Sequence, residues 1–362
     1  MEAVTPSASA HTGAANDAHQ WCDMQRFTRR VLPAALLATS LLTARESHAQ
    51  ALDSAARTAI VDSVIAQLER LYVFPATAAT MGADLRARLV RGEYDAVDDV
   101  SAFAARLTEQ LQAVSRDRHL RLRAPGTSTP AAGGASPARP TTPFGRTERM
   151  EGNVAYIEIL TFGMPAGPVR NAVRAVMDSA ADASALIIDL RDNGGGRPEL
   201  VALITSYLFG DEPVHLNSLY WRPRDTTQDF FTNPDVEGRK YGPDKPVFVL
   251  TSSRTFSAAE EFSYNLQARE RATLVGETTG GGAHPGGGVQ LPHGLMMFVP
   301  SGRAINPVTG TNWEGTGVVP DVAARAEDAL EVALRCARLP QVMPDVKPHP
   351  KRCPALPHRG RL

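Results

Sequence analysis

The sequence predicts an α/β domain that follows a small helical bundle. Between residues 51 and 114, apolar side chains recur at three- and four-residue spacing, which is typical of helices packed on one face. From residue 154 onward, short apolar strands alternate with helical patterns, which is typical of a parallel sheet covered by helices. At 362 residues the chain is long enough for two unequal domains.

Three short helices are predicted in the front part, which we delimit as a domain at 51–123. Apolar spacing places the first helix over 60–72, and Phe74-Pro75 breaks it. The second contains Met81 and ends at Gly92, and the third runs from Val100 to Leu111. Helices this short, with tight breaks between them, predict a small bundle.

The segment 124–145 is rich in Pro, Gly, Ser, Thr and Ala, and we interpret it as a flexible linker. The α/β domain then spans 146–340, with strands predicted at 154–160, 184–191, 247–250, 274–279 and 295–300. The glycine-rich stretch 280–288 is predicted to be a mobile loop. The tail 341–362 is predicted to be peripheral.

The first 50 residues resemble an export leader. Arg26, Arg29 and Arg30 precede the apolar run 31–42, and small residues around 47–51 offer a cleavage site. That run is too short to span a membrane, which takes about 20 apolar residues. We therefore expect a periplasmic or secreted protein with no stable membrane span after cleavage. The alternative is a disordered tail that contains a small buried helix.

Composition narrows the possible partners. A hydrophobic share of 43% and a charged share of 21% are typical of a soluble globular protein. A net charge of −1 gives no electrostatic reason to expect nucleic acid as a partner. Cys336 and Cys353 could pair as a disulfide or stay as buried thiols, and no Cys/His spacing predicts a metal site.

Ser257 lies where the apolar strand 247–250 gives way to a helix. A hydroxyl at such a corner lies beside unpaired backbone N–H groups, which favour the negative charge that acyl transfer develops. Ser257 and Glu260 also fit a plain capping box, in which the serine only begins the helix. Both interpretations stay open on this stretch alone.

A second glycine turn, 193–196, follows the buried strand 184–191. Its N–H groups could bind an oxyanion, or it could be only a tight turn. Two histidines are further candidates: His119 at the change from helix to strand, and His284 in the glycine-rich loop. The alternative for each is a solvated histidine without a role.

Three motifs in this order resemble the tail-specific, or C-terminal processing, serine proteases: 189–196, 255–260 and 314–321. The helical front looks most like the repeats of interphotoreceptor retinoid-binding protein and their bacterial relatives. The motifs that carry this likeness are at 72–75, 92–94 and 117–121. The likeness covers roughly residues 51–330. It implies a crotonase-like α/β catalytic fold behind a small helical domain.

The resemblance implies one of two catalytic designs. Many processing proteases pair the serine with a lysine, and the matching position here is Gly282. Since no lysine lies between Ser257 and Lys347, that dyad is excluded. Tricorn-like members instead use serine, histidine and glutamate, and Ser257, His119 and Glu314 match those motif positions.

The residues suit the corresponding roles. Neutral His119 could take the proton of the Ser257 hydroxyl, and Glu314 could hold the imidazole and stabilise its cation. Backbone N–H groups of Ala258 and of Gly194 or Gly195 would bind the oxyanion. His284 is the second candidate for the base. We therefore expect a serine-type peptidase acting on peptides or proteins, without metal or organic cofactor.

Two other functions remain open on the sequence. The likeness to the retinoid-binding repeats raises a non-catalytic module for an apolar ligand such as a retinoid or fatty acid, and an inert scaffold is a third option. The segment 124–145 is too short for the PDZ domain that processing proteases commonly carry. Selection of substrate tails by strand addition to such a domain is therefore not expected.

Overall fold

The computed structural model describes residues 52–126 and 142–342. The helices of this part are α1 (Ser54–Leu71), α2 (Pro75–Val90), α3 (Val100–Ser115), α4 (Gly167–Ala180), α5 (Pro198–Ser206), α6 (Ala258–Ala268) and α7 (Ala329–Val342). The strands are β1 (Arg121–Arg123), β2 (Phe144–Met150), β3 (Val154–Ile159), β4 (Ala185–Asp189), β5 (His215–Trp221), β6 (Thr226–Phe231), β7 (Val247–Thr251), β8 (Thr273–Gly276), β9 (Gly286–Gln290), β10 (Met296–Pro300), β11 (Gly302–Ile305) and β12 (Val322–Ala323). The predicted leader, most of the predicted linker, the tail after 342 and Cys353 lie outside the described residues.

The three predicted front helices are present as α1 to α3. Asp53 and Asp99 begin α1 and α3, and each side chain accepts a backbone N–H of the first turn. Pro75 is the first residue of α2, where its missing N–H costs nothing. Local sequence signals therefore set the starts of all three helices.

A six-stranded mixed sheet forms the centre, with the strand order β12-β8-β7-β4-β3-β2. Neighbours from β12 to β3 are parallel, and β2 pairs with β3 antiparallel. β4 and β7 are adjacent, so their carboxyl ends open at the same edge. In parallel α/β sheets this edge is where ligands bind.

Both faces of the central sheet are buried, which confirms the α/β class. Leu186 and Ile188 of β4 pack with residues of α4, α5 and α6 on one face. Ala185 and Ile187 point to the opposite face, against α7. Strands covered on both sides read as continuous apolar runs, and this is why the sequence revealed them.

A second core joins the helical front to strands from later in the chain. β1 pairs with β10 antiparallel, and β10 pairs with β9. Leu295, Met297 and Val299 pack among the apolar residues of α1 to α3. This core therefore combines residues from both sides of the boundary predicted at 123.

One prediction about local structure needs correction, and one structural element was missed. The stretch 280–288 is not a mobile loop, since residues 281–284 are buried and β9 begins at Gly286. The antiparallel hairpin of β5 and β6, joined to β11, was not foreseen. Among the described residues, no helix is both long enough and apolar enough to span a bilayer.

Candidate active site

Ser257 lies at the N-terminus of α6, a few residues past the end of β7. Its backbone has φ 56° and ψ −122°, a conformation that costs energy in a residue other than glycine. The preceding turn is braced because the Thr255 hydroxyl donates to the Leu190 carbonyl at 2.8 Å. The strained corner is therefore held by Leu190, the residue that follows strand β4.

The glycine turn after β4 lies directly against this serine. A Cβ added to Gly195 would come within 2.7 Å of the Ser257 Cβ and 3.0 Å of the Ala258 nitrogen, so only glycine fits. Gly195 donates its own N–H to the Asn193 side chain at 2.8 Å. The N–H groups of Gly194 and Ala258 carry no hydrogen bond within the described part of the chain.

Glu260 connects the serine to the glycine-rich segment. One carboxylate oxygen accepts the Thr279 hydroxyl and the N–H of Gly281 at 2.6 Å. The other accepts the N–H groups of Ser257 and Gly282, each at 2.8 Å. Burial raises the pKa of Glu260, while the four donors favour the charged form. The capping function is therefore real, and it also anchors residues 279–282 beside the serine.

His119 is buried beside the residue that precedes the serine. Its ring centroid lies 4.6 Å from that of Phe256 and 5.8 Å from that of Phe298. Its backbone N–H donates to Asp117 at 3.0 Å. Burial lowers the pKa of His119 to about 4. A solvated histidine, the alternative raised by the sequence, is wrong for this position.

Gly282, the position that would carry lysine in the dyad design, has no space for a side chain. An added Cβ would lie 2.3 Å from the Phe256 ring and 2.7 Å from Cε1 of His119. Real Cβ contacts are essentially never this short. The ring of His119 thus borders the space that a side chain at 282 would enter.

Glu314 lies in the turn after Trp313 and is mostly buried. Its Oε2 accepts the N–H of Ala283 at 2.5 Å and lies 3.4 Å from Nδ1 of His284. Its Oε1 is buried without a hydrogen-bond partner. Burial, together with the nearby charge of Asp117, raises the pKa of Glu314 to about 7.

His284 is also buried, so the solvated-loop alternative is wrong for it too. Its Nδ1 lies 2.8 Å from Oδ2 of Asp117. The ring meets Phe74 edge-on at 5.3 Å between centroids. The structure therefore places His284 beside carboxylates and gives it no hydrogen bond to Ser257 within the described residues.

The segments that carry the three predicted residues meet at residues 282–283, but the residues themselves are not joined. Within the described ranges, no hydrogen bond connects Ser257, His119 and Glu314. Nδ1 of His119 and Oε1 of Glu314 are both buried and both lack a partner. Hydrogen bonds at such sites are often long before substrate binds, so this arrangement does not argue against a shared role.

Asp117, His284 and Glu314 could together offer ligand atoms to a cation, since those atoms lie within 4.8 Å of one another. The same atoms already bond to one another and to the Ala283 N–H. Sequence reasoning named Asp117 only as part of a motif and did not link it to His284. The two are 167 positions apart, and only the pairing of β1 with β10 signals that the segments meet.

Comparison with known families identifies both parts of the chain. Residues 153–324 match peptidase family S41, and residues 49–155 match the N-terminal domain of peptidase S41 in eukaryotic IRBP. The second match ends where the first begins, so together they run through the helical front and the central sheet.

Two curated relatives carry related names. A carboxyl-terminal-processing protease of Synechocystis is 32% identical over 130 residues, which is 36% of this chain and 28% of the relative. The chloroplastic carboxyl-terminal-processing peptidase 2 of Arabidopsis thaliana is 29% identical over 171 residues, 46% of this chain and 31% of the relative. This chain therefore matches less than a third of the length of either relative.

Solved structures share the fold at low sequence identity. A predicted peptidase from Parabacteroides merdae superposes with a TM-score of 0.58 at 19% identity, covering 78% of this chain and 97% of the other. The tricorn protease superposes with a TM-score of 0.50 at 14% identity, covering 76% of this chain and 35% of the other. Because two S41 models match in sequence order and together span residues 49–324, the chain belongs to peptidase family S41.

Proposed function

We propose that this protein is a serine-type peptidase that cleaves peptide bonds in peptide or protein substrates. One observation carries the proposal: Ser257 is held in a strained conformation at a helix N-terminus, in contact with a glycine turn. Such corners expose a serine hydroxyl beside backbone donors. The family membership and the names of the curated relatives support the same activity.

The residues fit acyl transfer step by step. His119 takes the proton from the Ser257 hydroxyl as Oγ of Ser257 attacks the substrate carbonyl carbon. The carbonyl oxygen then becomes an oxyanion. The N–H groups of Ala258 and Gly194 are free to bind it, while that of Gly195 is engaged by Asn193. His119 then gives the proton to the leaving amine, and water hydrolyses the acyl-enzyme by the reverse route.

Glu314 is proposed to orient His119 and stabilise its cation. The lowered pKa of His119 keeps the ring neutral, which is the form that can accept a proton. A hydrogen bond between Nδ1 of His119 and Oε1 of Glu314, direct or through one water, would satisfy two unpaired buried atoms at once. Through this pairing, Glu314 would orient the imidazole and stabilise its cation during the reaction.

The activity is tested by incubating the protein with an unstructured protein substrate and identifying fragments by mass spectrometry. We expect cleavage that Ser257→Ala abolishes and that chelators leave unchanged, because the proposed chemistry uses only groups of the protein itself. Binding of a retinoid or fatty acid without cleavage of any peptide would instead establish the non-catalytic module. Nothing on the described surface favours that second function.

We further propose an exported protein, periplasmic or secreted, on the basis of the leader-like residues 1–50. The division into a helical domain at 51–123 and a peptidase domain at 146–340 also stays a proposal, as does the crotonase-like classification. N-terminal sequencing of secreted material tests the export proposal, which expects a start near residues 49–52. A cytosolic protein that still begins at Met1, or at the internal Met24 taken as an alternative start, would contradict it.

Gly282→Ala is expected to lower kcat by about 100-fold, the scale that a displacement of about 1 Å at a reacting group can produce. The new methyl group would push against Phe256 and His119, the two rings next to the serine. Gly287→Ala is the matched control, since an added Cβ at Gly287 meets nothing within 4 Å. Equal kcat values for the two variants in a peptide-cleavage assay would show that His119 is not confined as described.

A further inference from the structure

A chain of four side chains, three of them buried and the fourth mostly buried, runs from the helical front to Glu314. The Tyr72 hydroxyl donates to Asp117 Oδ2 at 3.3 Å, and that same oxygen lies 2.8 Å from Nδ1 of His284. Nδ1 of His284 in turn lies 3.4 Å from Glu314 Oε2. The side chain of Asp117 is fully buried and that of His284 is 6% exposed. His284 therefore stands between two carboxylates that are shielded from water.

The backbone around His284 is fixed on both sides. The preceding residue, Ala283, donates its N–H to Glu314 and accepts the N–H of Ala304 at 3.1 Å. The following residue, Pro285, accepts the N–H groups of Ser301 and Gly302. The imidazole therefore has little freedom to leave the carboxylates, and the same segment that carries it also holds Glu314.

Glu314 needs such a partner to carry charge. Its carboxylate is buried and faces the acidic groups Asp117 and Glu260, with Tyr72 close by. Burial and the charge of Asp117 act against ionisation of Glu314, whereas His284 and the Ala283 N–H favour it. Without His284, two buried carboxylates would face each other with no donor between them, and Glu314 would hold its proton more tightly.

We propose that Asp117 and His284 form a positioning pair for Glu314, in which His284 is held by Asp117 and in turn places and charges the carboxylate that orients His119. This role rests on the proposed peptidase function. It makes His284 a positioning residue rather than the base, because the ring binds carboxylates and has no described contact with Ser257. Tyr72 completes the chain from the helical front.

The test is the pH dependence of kcat for peptide cleavage by three proteins: the wild type, His284→Ala and Asp117→Asn. Since Glu314 acts as an anion, activity is lost as pH falls through its pKa. The acid limb is the part of the profile where kcat falls as the pH is lowered. Loss of His284 should move its midpoint to higher pH, and loss of the Asp117 charge should move it to lower pH, each by about one pH unit. A purely structural defect would lower kcat without moving the limbs in opposite directions.

His284→Asn is the conservative variant, because its amide can donate from nearly the same place as Nδ1. We expect it to recover a large part of the kcat that His284→Ala loses. If the alanine variant does not fold, the asparagine variant takes its place in the pH-dependence test. Unmoved acid limbs in the variants, or equal defects in the asparagine and alanine variants, would overturn the positioning role.

A second readout does not depend on activity. In protein labelled with carbon-13 at glutamate carboxyl carbons, the Glu314 resonance is identified by its loss in Glu314→Gln. Its titration midpoint should rise in His284→Ala and fall in Asp117→Asn. Shifted midpoints in a protein that cleaves no peptide would disprove the peptidase while leaving the pairing intact. Cleavage by the wild type with unshifted midpoints would disprove the pairing alone.

Discussion

His119→Ala is expected to lower kcat for peptide cleavage on the order of 10⁴- to 10⁶-fold, nearly as much as Ser257→Ala. The serine hydroxyl is a weak nucleophile unless a base takes its proton. His119 is a buried, neutral histidine whose ring packs against Phe256, the residue before Ser257. The Ser257/His119 double variant should be only slightly worse than either single one, because residues that act as a unit are not additive.

His293→Asn is the matched control, since His293 is exposed on the turn before β10 and asparagine tolerates its positive φ of 58°. Its kcat should equal that of the wild type. Melting curves should show that the alanine variants are folded. If the two losses multiply in the double variant, the residues do not share one mechanism, and full activity of His119→Ala would move the base elsewhere.

Glu260→Gln is expected to destabilise the protein by about 2–4 kcal/mol, because two of the four donors would face an amide NH₂ instead of an acceptor. The melting temperature should fall by roughly 3–7 °C, measured by calorimetry. Activity should fall as well, since the carboxylate ties Ser257 to residues 279–282.

Glu261→Gln is the control for that change, one position along the same helix. Burial raises the pKa of Glu261 to about 8, so the residue is mostly protonated at neutral pH and the amide is a close substitute. Its stability should stay within about 1 kcal/mol of the wild type. Similar melting temperatures for both glutamine variants would mean that the four hydrogen bonds to Glu260 contribute little.

Much of the fold could be predicted because its signals are local. β4 and β7 are covered on both faces, so their sequences are continuous apolar runs. The front helices begin at Asp53, Pro75 and Asp99, each a known start signal. The β5–β6 hairpin escaped prediction, since β5 is largely buried, β6 is largely exposed, and both carry polar residues that interrupt an apolar pattern.

The candidate site likewise contains features that local sequence patterns predict and features that they do not. The strand-to-helix corner at Ser257 and the glycine turn at 193–196 are local, and the structure places them in contact. The pairing of Asp117 with His284 depends on β1 lying beside β10, and no local pattern reveals a contact across 167 positions. The glycine-rich stretch was misjudged because its glycines permit close packing against Glu260 and Phe256 as readily as they permit motion.

The most direct measurement is the labelling of the purified protein by a fluorophosphonate, followed by mass spectrometry of its peptides. Fluorophosphonates react with serines that a neighbouring base activates. We expect a single modified peptide with the phosphonyl group on Ser257, and no labelling of Ser257→Ala. Equal labelling of wild type and Ser257→Ala, or modification of other serines alone, would contradict the assignment of Ser257 as the nucleophile.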